Sequence, residues 1–572
     1  MTSYTGFNET STDPPLLKAI QFGVLRKQTF SIEYSRDLAP SASYLKFEND
    51  RRSLEITLGG VQQFGGLTNL SVIISVSSVR QISIGHDGGD DYMLFELAYH
   101  PRFEQSDQFR RSRTRLSRLD EDHGRVSPYV SRWIRIVFHE DTPSIPTEDS
   151  CSQSGLPKPD MVPQLMFDPT RKAYSQQNID LVDDWLRNGS LPWEVAFQCE
   201  ALFRNGDLVP KEIMLLKPQV EMIVHESPNL AHDTLKAFQA ALKGTGVRAL
   251  LFGFEDPAII TLFEKCLTQA KQAGRSGHLQ NSSLTFVCHH VKVTPTAIYL
   301  DGPYAEQSNR VIRRYPGFES HFIRVSFKDE GGGWIRLGFG PNTYGSSKDW
   351  VNRILKADGV HISGRQYKLL SYRSADLREH TCFFGSDFIF EGATVTPESI
   401  RASLGDFSEV ISYPSRYGSR LSQAFSSTDP SIVLSPELIK YIPDIKTADG
   451  EAFSDGCGTI SRALADRVWR GWLDKLPHTR RRQRHKDEPT PAVFQMRISG
   501  SMGVVRIDPK LAGEQLCIRP SMTKLELPNE LSFEIVRTSE RPSPCILNRF
   551  VLFLLAHAIS LFHHWAAHWL CF

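Results

Sequence analysis

The chain reads as an α+β protein, because two stretches of β periodicity flank one of helical periodicity. Residues 16–140 hold β-branched runs broken by glycine. Residues 170–280 hold apolar residues at helical spacing, and β patterning returns from 281 onward. A length of 572 residues accommodates about three or four domains at roughly 150 residues each. Lys+Arg (66) and Asp+Glu (65) nearly cancel, which excludes a supercharged nucleic-acid coat and leaves local basic patches open. Hydrophobic residues at 40% and charged residues at 23% exclude a disordered or collagenous chain.

Residues 1–15 are polar, rich in Thr and Ser, and end in Pro14-Pro15; they read as a disordered lead-in with no signal peptide. An N-terminal β-rich domain follows over 16–140, carried by TFSIEY, SLEITLG, LSVIISVSSVRQISIG and RWIRIVF. Inside it the charged stretch 101–125 reads as an exposed loop. Residues 141–169, rich in Pro, Ser and Asp, read as a linker. A helical domain spans 170–280, with Pro192 at a helix start and glycines ending later helices.

In the β region from 281, FIRVSFKDE places Ile323, Val325 and Phe327 on one face and Arg324, Ser326 and Lys328 on the other. GGGWIRLGFG reads as its partner strand. A helix is expected between Gly458 and Trp472, then the basic run His478–Lys486, then two strands joined at Gly500–Gly503. Residues 550–572 are an unassigned apolar tail. Its run Phe550–Phe562 is shorter than the roughly 18 residues of a spanning helix, so a buried helix is expected and a membrane partner is not. Nine scattered cysteines without a C-x-x-C pair suit reduced thiols and an intracellular chain, with nucleus and cytoplasm both open.

Local motifs carry little chemistry. His86-Asp87-Gly88-Gly89-Asp90-Asp91 lies between two strands and reads as a hairpin turn. Phosphate-loop, nucleophile-elbow and H-E-x-x-H patterns do not occur. Cys457, in Asp455-Gly456-Cys457-Gly458, precedes a helix but has no histidine at a telling spacing. Arg110–Arg118 and His478–Lys486 would attract phosphates without sequence preference. Arg497, Arg506, Arg519 and Lys524 alternate with apolar residues, so one sheet face could present them to a nucleic-acid backbone.

Three longer stretches are more specific. They are TPTAIYLDGPYAEQSNRVIRR (294–314) with FIRVSFKDE, GRQYKLLSYRSADLREHTCFF (364–384) with SRLSQAFSST, and SDGCGTI (454–460) followed by AVFQMRISGSMGVVRIDPKLAG, CIRPSMTKLEL and CILNR. With LPWEVAFQCEALFRNG before them, their order and spacing resemble the cellular RNA-directed RNA polymerases of eukaryotic RNA silencing, of fungal type. The resemblance runs from about Leu191 to Arg549. It implies a core of two double-psi β-barrels, the first supplying basic residues and the second an Asp-x-Asp-Gly-Asp loop that binds Mg²⁺ for two-metal nucleotidyl transfer. Residues 281–549 would then hold the first part of that core, with the second barrel absent.

The resemblance assigns Lys524 to a phosphate or nucleotide contact and makes Arg497, Arg519, Arg310 and Arg378 RNA- or nucleotide-binding candidates. Met502 stands where the family usually has lysine. No Asp-x-Asp-Gly-Asp occurs in the 572 residues, so no metal ligand is assigned in this chain, and Mg²⁺ is expected only for a full-length relative. Truncation near Arg549 is the simplest account, and this chain alone is expected to be inactive. The implied function is copying single-stranded RNA into double-stranded RNA from nucleoside triphosphates for small-RNA silencing, with silencing proteins as further partners. The alternative is a non-catalytic short isoform that binds RNA or a protein partner.

Overall fold

In the computed structural model of the protein, the β-branched runs of the N-terminal region pair into two sheets. The described residues are 14–539 and 552–557, apart from 40–41, 49–51, 64–65, 108–111, 143–145, 147–150, 152–153, 160–164, 189–190, 245–252, 254–255, 274–280, 283, 336–349, 374–375, 377, 477–487, 526 and 528–529. The chain divides into two units, Met1–Asp429 and Pro430–Phe572. Its secondary structure is mixed α+β.

In the first unit, one antiparallel sheet runs Ser43–Glu48, Ser53–Gln63, Gly66–Ser75, Arg102–Asp107, Ser112–Leu116. A second runs Met166–Asp168, Thr29–Asp37, Leu17–Arg26, Trp133–Phe138, Asp90–Leu97, Val79–Asp87. Only Met166–Asp168 is parallel to its neighbour. The stretch expected as a linker thus ends by adding a strand, and its Cys151, Leu156 and Leu165 are buried.

The charged stretch 101–125 is not a loop. It supplies the strands Arg102–Asp107 and Ser112–Leu116, then the start of the helix Glu121–Val130. Phe103 anchors it in the core, and Arg113 pairs with Glu55 and Glu104. Cross-strand pairing satisfies charges that composition alone assigns to solvent. Asp120 caps the helix, its carboxylate accepting from the His123 backbone N–H at 2.8 Å.

The helical region holds Gln176–Asn188, Trp193–Arg204, Pro210–Glu226, Pro228–Gly244 and Ala258–Ala273. Phe203, Ile213, Phe238 and Phe263 from these helices join the same core as Phe22, Phe95 and Phe103 from the sheets. Each such burial removes apolar surface from water and stabilises the fold by about 1.5–3 kcal/mol.

A third sheet runs Ile298–Gln307, Thr285–Val293, Phe322–Phe327, Thr381–Gly385, Arg365–Ser371, Val360–Ile362. Ile323, Val325 and Phe327 pack with Trp193, Phe197 and Tyr367, as the alternation requires. The opposite face is not simply solvated, since Arg324 is buried between Glu306 and Asp376. Trp334 makes an isolated bridge to Lys328, and the second half of the expected partner strand, residues 336–340, lies outside the described residues.

In the second unit a seven-stranded mixed sheet runs Asp429–Val433, Ser532–Thr538, Val493–Ile498, Ser501–Ile507, Cys457–Ile460, Leu516–Ile518, Ile439–Tyr441. Cys457–Ile460 is parallel to Ser501–Ile507, and Ile439–Tyr441 is parallel to Leu516–Ile518. The helix Arg462–Leu473 is capped by Ser461, whose hydroxyl accepts from Leu464 N at 3.3 Å. The basic run 478–486 lies outside the described residues. Of the tail, residues 552–557 are helical, with Leu552, Phe553, Leu554 and Leu555 exposed, against the expectation of burial. Among the described residues no helix is long and apolar enough to cross a membrane.

Candidate nucleotide and nucleic-acid site

The second unit gathers Arg497, Arg519 and Lys524 around one hairpin. Val493–Ile498 and Ser501–Ile507 pair with Ile498 opposite Ser501, so the turn is Ser499-Gly500. Both residues have positive φ, 49° and 76°, as a two-residue primed turn demands. Met502 and Gly503, expected within the turn, are therefore strand residues. Met502 faces Arg497 across the ladder, and Arg497 faces Glu534 on its other side.

The loop carrying Lys524 closes onto this hairpin. Lys524 N and Leu525 N donate to Gly500 O at 3.1 and 3.3 Å, and the hydroxyls of Ser501 and Thr523 lie 3.2 Å apart. A Cβ on Gly500 would lie 2.0 Å from Leu525 O, and one on Gly503 would lie 2.2 Å from Gly456 O. On Gly458 it would lie 2.4 Å from Cys517 O. These glycines are needed for close backbone approach. Close approach thus accounts for Gly458 of the Asp455-Gly456-Cys457-Gly458 run, and positive φ (71°) for Gly456.

Asp444 ties the loop together. Its carboxylate accepts from Ser521 N at 2.9 Å, Ser521 Oγ at 2.6 Å and Ser454 Oγ at 3.0 Å. The hydrogen bond from the Ser521 side chain is the main cause that holds this carboxyl below its ordinary range. Ser521 Oγ also accepts from Gly456 N at 3.1 Å. Lys524 Nζ donates to Ser521 O at 2.5 Å, and Arg519 Nη1 donates to Pro443 O. Lys524 keeps two further N–H donors for an anion. No local pattern marks Asp444, because its partner Ser521 is 77 residues away.

Arg310 and Arg378 belong to the first unit. Arg310 opens the short helix Arg310–Arg313, and Asn309 caps it by accepting from Val311 N and Ile312 N at 3.0 and 3.1 Å. Ser308 and Asn309 are buried. Arg378 is exposed, just before Thr381–Gly385. The acidic turn is a hairpin tip whose charges are taken up by neighbours: Lys18 pairs with Asp90 at 2.7 Å and Arg135 with Asp87 at 2.8 Å.

The family's Mg²⁺ requires clustered oxygen ligands. Among the described residues the one triad with its ligand atoms together is Cys288, His290 and Glu306. Sulfur and imidazole donors do not fit Mg²⁺, so these residues give that ion no place.

The sequence profile described as RNA dependent RNA polymerase matches residues 293–559. RNA-dependent RNA polymerase 1 of Arabidopsis thaliana is 32% identical over 276 residues, covering 47% of this chain and 23% of that protein. RNA-dependent RNA polymerase 2 of the same plant is 26% identical over 504 residues, covering 82% of this chain and 41% of that protein. The chain therefore spans less than half the length of these relatives. The solved RNA dependent RNA polymerase QDE-1 from Thielavia terrestris gives a TM-score of 0.37 at 18% identity, covering 51% of this chain and 34% of that one, a likeness too slight to inform the fold. The motif order read from the sequence and the profile match agree: residues 293–559 are similar to the RNA dependent RNA polymerase family.

Proposed function

We propose that this chain is the template- and nucleotide-gripping part of an RNA-directed RNA polymerase, a nucleotidyltransferase that makes double-stranded RNA for small-RNA silencing. The match over residues 293–559 carries the reading. In it, residues 281–549 form the polymerase core with a first double-psi barrel. The 16–140 β region and the 170–280 helices precede that core. Lys524 meets a substrate phosphate. Arg497 lies across the hairpin from Met502 and supplies the positive charge that Met502 does not. Arg519, Arg310 and Arg378 contact RNA. Single-stranded RNA and nucleoside triphosphates are the ligands, silencing proteins are the further partners, and Mg²⁺ serves the longer relatives.

The absence of an Asp-x-Asp-Gly-Asp run from the sequence supports a second reading, in which the chain binds RNA without copying it. One experiment addresses both. The 572-residue protein is titrated with labelled single-stranded RNA at several salt concentrations and assayed for nucleotide incorporation with Mg²⁺. The polymerase-segment reading expects RNA affinity that falls steeply between about 50 and 200 mM salt, and no incorporation by this chain alone. A flat salt response removes the basic surface from the proposal. Templated synthesis would show that carboxylates elsewhere in the chain hold the ions.

A further inference from the structure

The Cys288, His290 and Glu306 triad belongs to the first unit. Cys288 and His290 come from the strand Thr285–Val293, and Glu306 from the neighbouring strand Ile298–Gln307. A register shift between Cys288 and His290 interrupts the ladder there, and such bulges re-aim side chains. As a result Sγ, a ring nitrogen and a carboxylate oxygen all lie within 4.8 Å of one another. His290 Nε2 and Glu306 Oε1 are 2.7 Å apart. The Cys288 thiol is fully buried, donates to the His289 carbonyl at 3.7 Å and meets the Arg324 backbone.

We propose that Cys288, His290 and Glu306 bind a zinc ion, with water in the fourth position. The donor set is the reason. Zinc accepts thiolate, imidazole and carboxylate together at about 2.0–2.3 Å, which places neighbouring ligand atoms about 3.3–3.7 Å apart in a tetrahedron. The triad reaches that spacing by side-chain adjustments of about 1 Å, because the two strands are already hydrogen-bonded neighbours.

An outer shell is also in place. Arg324 Nη1 donates to both Glu306 oxygens at 3.0 and 2.9 Å, which holds the carboxylate beside the ligand atoms. Asp376 balances the Arg324 charge at 2.6 Å, and Arg373 pairs with Asp376 at 2.5 Å. Two arginines and two carboxylates cancel, so the metal does not meet a net positive wall. On binding, the Cys288 thiol proton leaves to solvent. The imidazole binds through Nε2 as the neutral ring, with its remaining proton on Nδ1. The Glu306 carboxylate turns one oxygen from His290 to the metal.

The test uses the full chain, freed of metal with a chelator and titrated with Co²⁺ and then Zn²⁺. Expected is one tightly bound Co²⁺ with an intense sulfur-to-cobalt charge-transfer band that Zn²⁺ abolishes. Cys288→Ser should lose that band. His290→Gln, at a half-exposed side chain, should keep the fold and weaken Co²⁺ binding by at least the roughly 10-fold that loss of an outer partner costs. No charge-transfer band in the parent chain overturns the proposal. So does an unchanged band and affinity in His290→Gln, which would place the metal on other cysteines.

Discussion

Two hairpins in this molecule share a turn and differ in everything around it. Asp87-Gly88-Gly89-Asp90 and Ile498-Ser499-Gly500-Ser501 both close two-residue loops with positive φ at the two central positions. At the first, a Cβ on either glycine would meet nothing within 4 Å. At the second, a Cβ on Gly500 would strike Leu525 O at 2.0 Å. The acidic tip stands in solvent with its carboxylates paired. The second tip is sealed by the loop that carries Lys524. Turn chemistry explains the first glycines completely, whereas the second also serves a packed contact 25 residues away in sequence, beside Lys524.

The sharpest way to break this comparison is a pair of alanine substitutions. Gly500→Ala meets both positive φ and a backbone oxygen, and should cost about 3 kcal/mol or more in urea unfolding of the second unit. Gly88→Ala meets only the φ penalty and should cost about 1 kcal/mol. Equal costs would show that the Lys524 loop does not press on the hairpin.

Lys524→Ala sharpens the functional half of the contrast. RNA affinity should fall several-fold and the salt dependence of binding should lose about one unit of slope. Stability should fall by about 1 kcal/mol, the worth of its hydrogen bond to Ser521 O. Unchanged RNA binding would remove Lys524 from the contact surface.

Acid should act on the second hairpin through Asp444. Its folded carboxyl is held below the ordinary range by Ser521. Its contribution is therefore present above the unfolded carboxylate pKa and is lost as pH falls through the folded value. Protection of the amides at residues 521–525, measured against the intrinsic exchange rate at each pH, should fall between about pH 5 and pH 2, and Asp444→Asn should show the reduced protection already at neutral pH. A pH-independent loop would mean that the hydrogen bonds from Ser521 do not set its order. The smallest effect belongs to the solvent-side tip: Asp90→Asn breaks an exposed pair with Lys18 and should cost less than about 1 kcal/mol in the same unfolding measurement.

Much of the fold was legible in the chain. Period-2 runs such as Phe322–Phe327 buried the expected face, and Pro192 opened its helix. The failures have a common cause. Arg113 and Arg115 made the stretch from 101 look like solvated loop, yet carboxylates on adjacent strands and beyond neutralise them. Exposed Leu552–Leu555 show the converse, since an apolar run does not state what covers it. At the site, Lys524, Arg497 and Arg519 were visible as residues, but the Asp444–Ser521–Ser454 knot was not.

The sequence by itself determined the α+β class, the likeness to the polymerase family over residues 293–559, and the glycines that permit tight turns, because periodicity, motif spacing and positive φ are local properties. Only the tertiary structure decided which charges are paired, which glycines are crowded, and which thiol, imidazole and carboxylate meet on neighbouring strands. Those outcomes depend on contacts between residues far apart in the chain, and no local pattern encodes the distance between them.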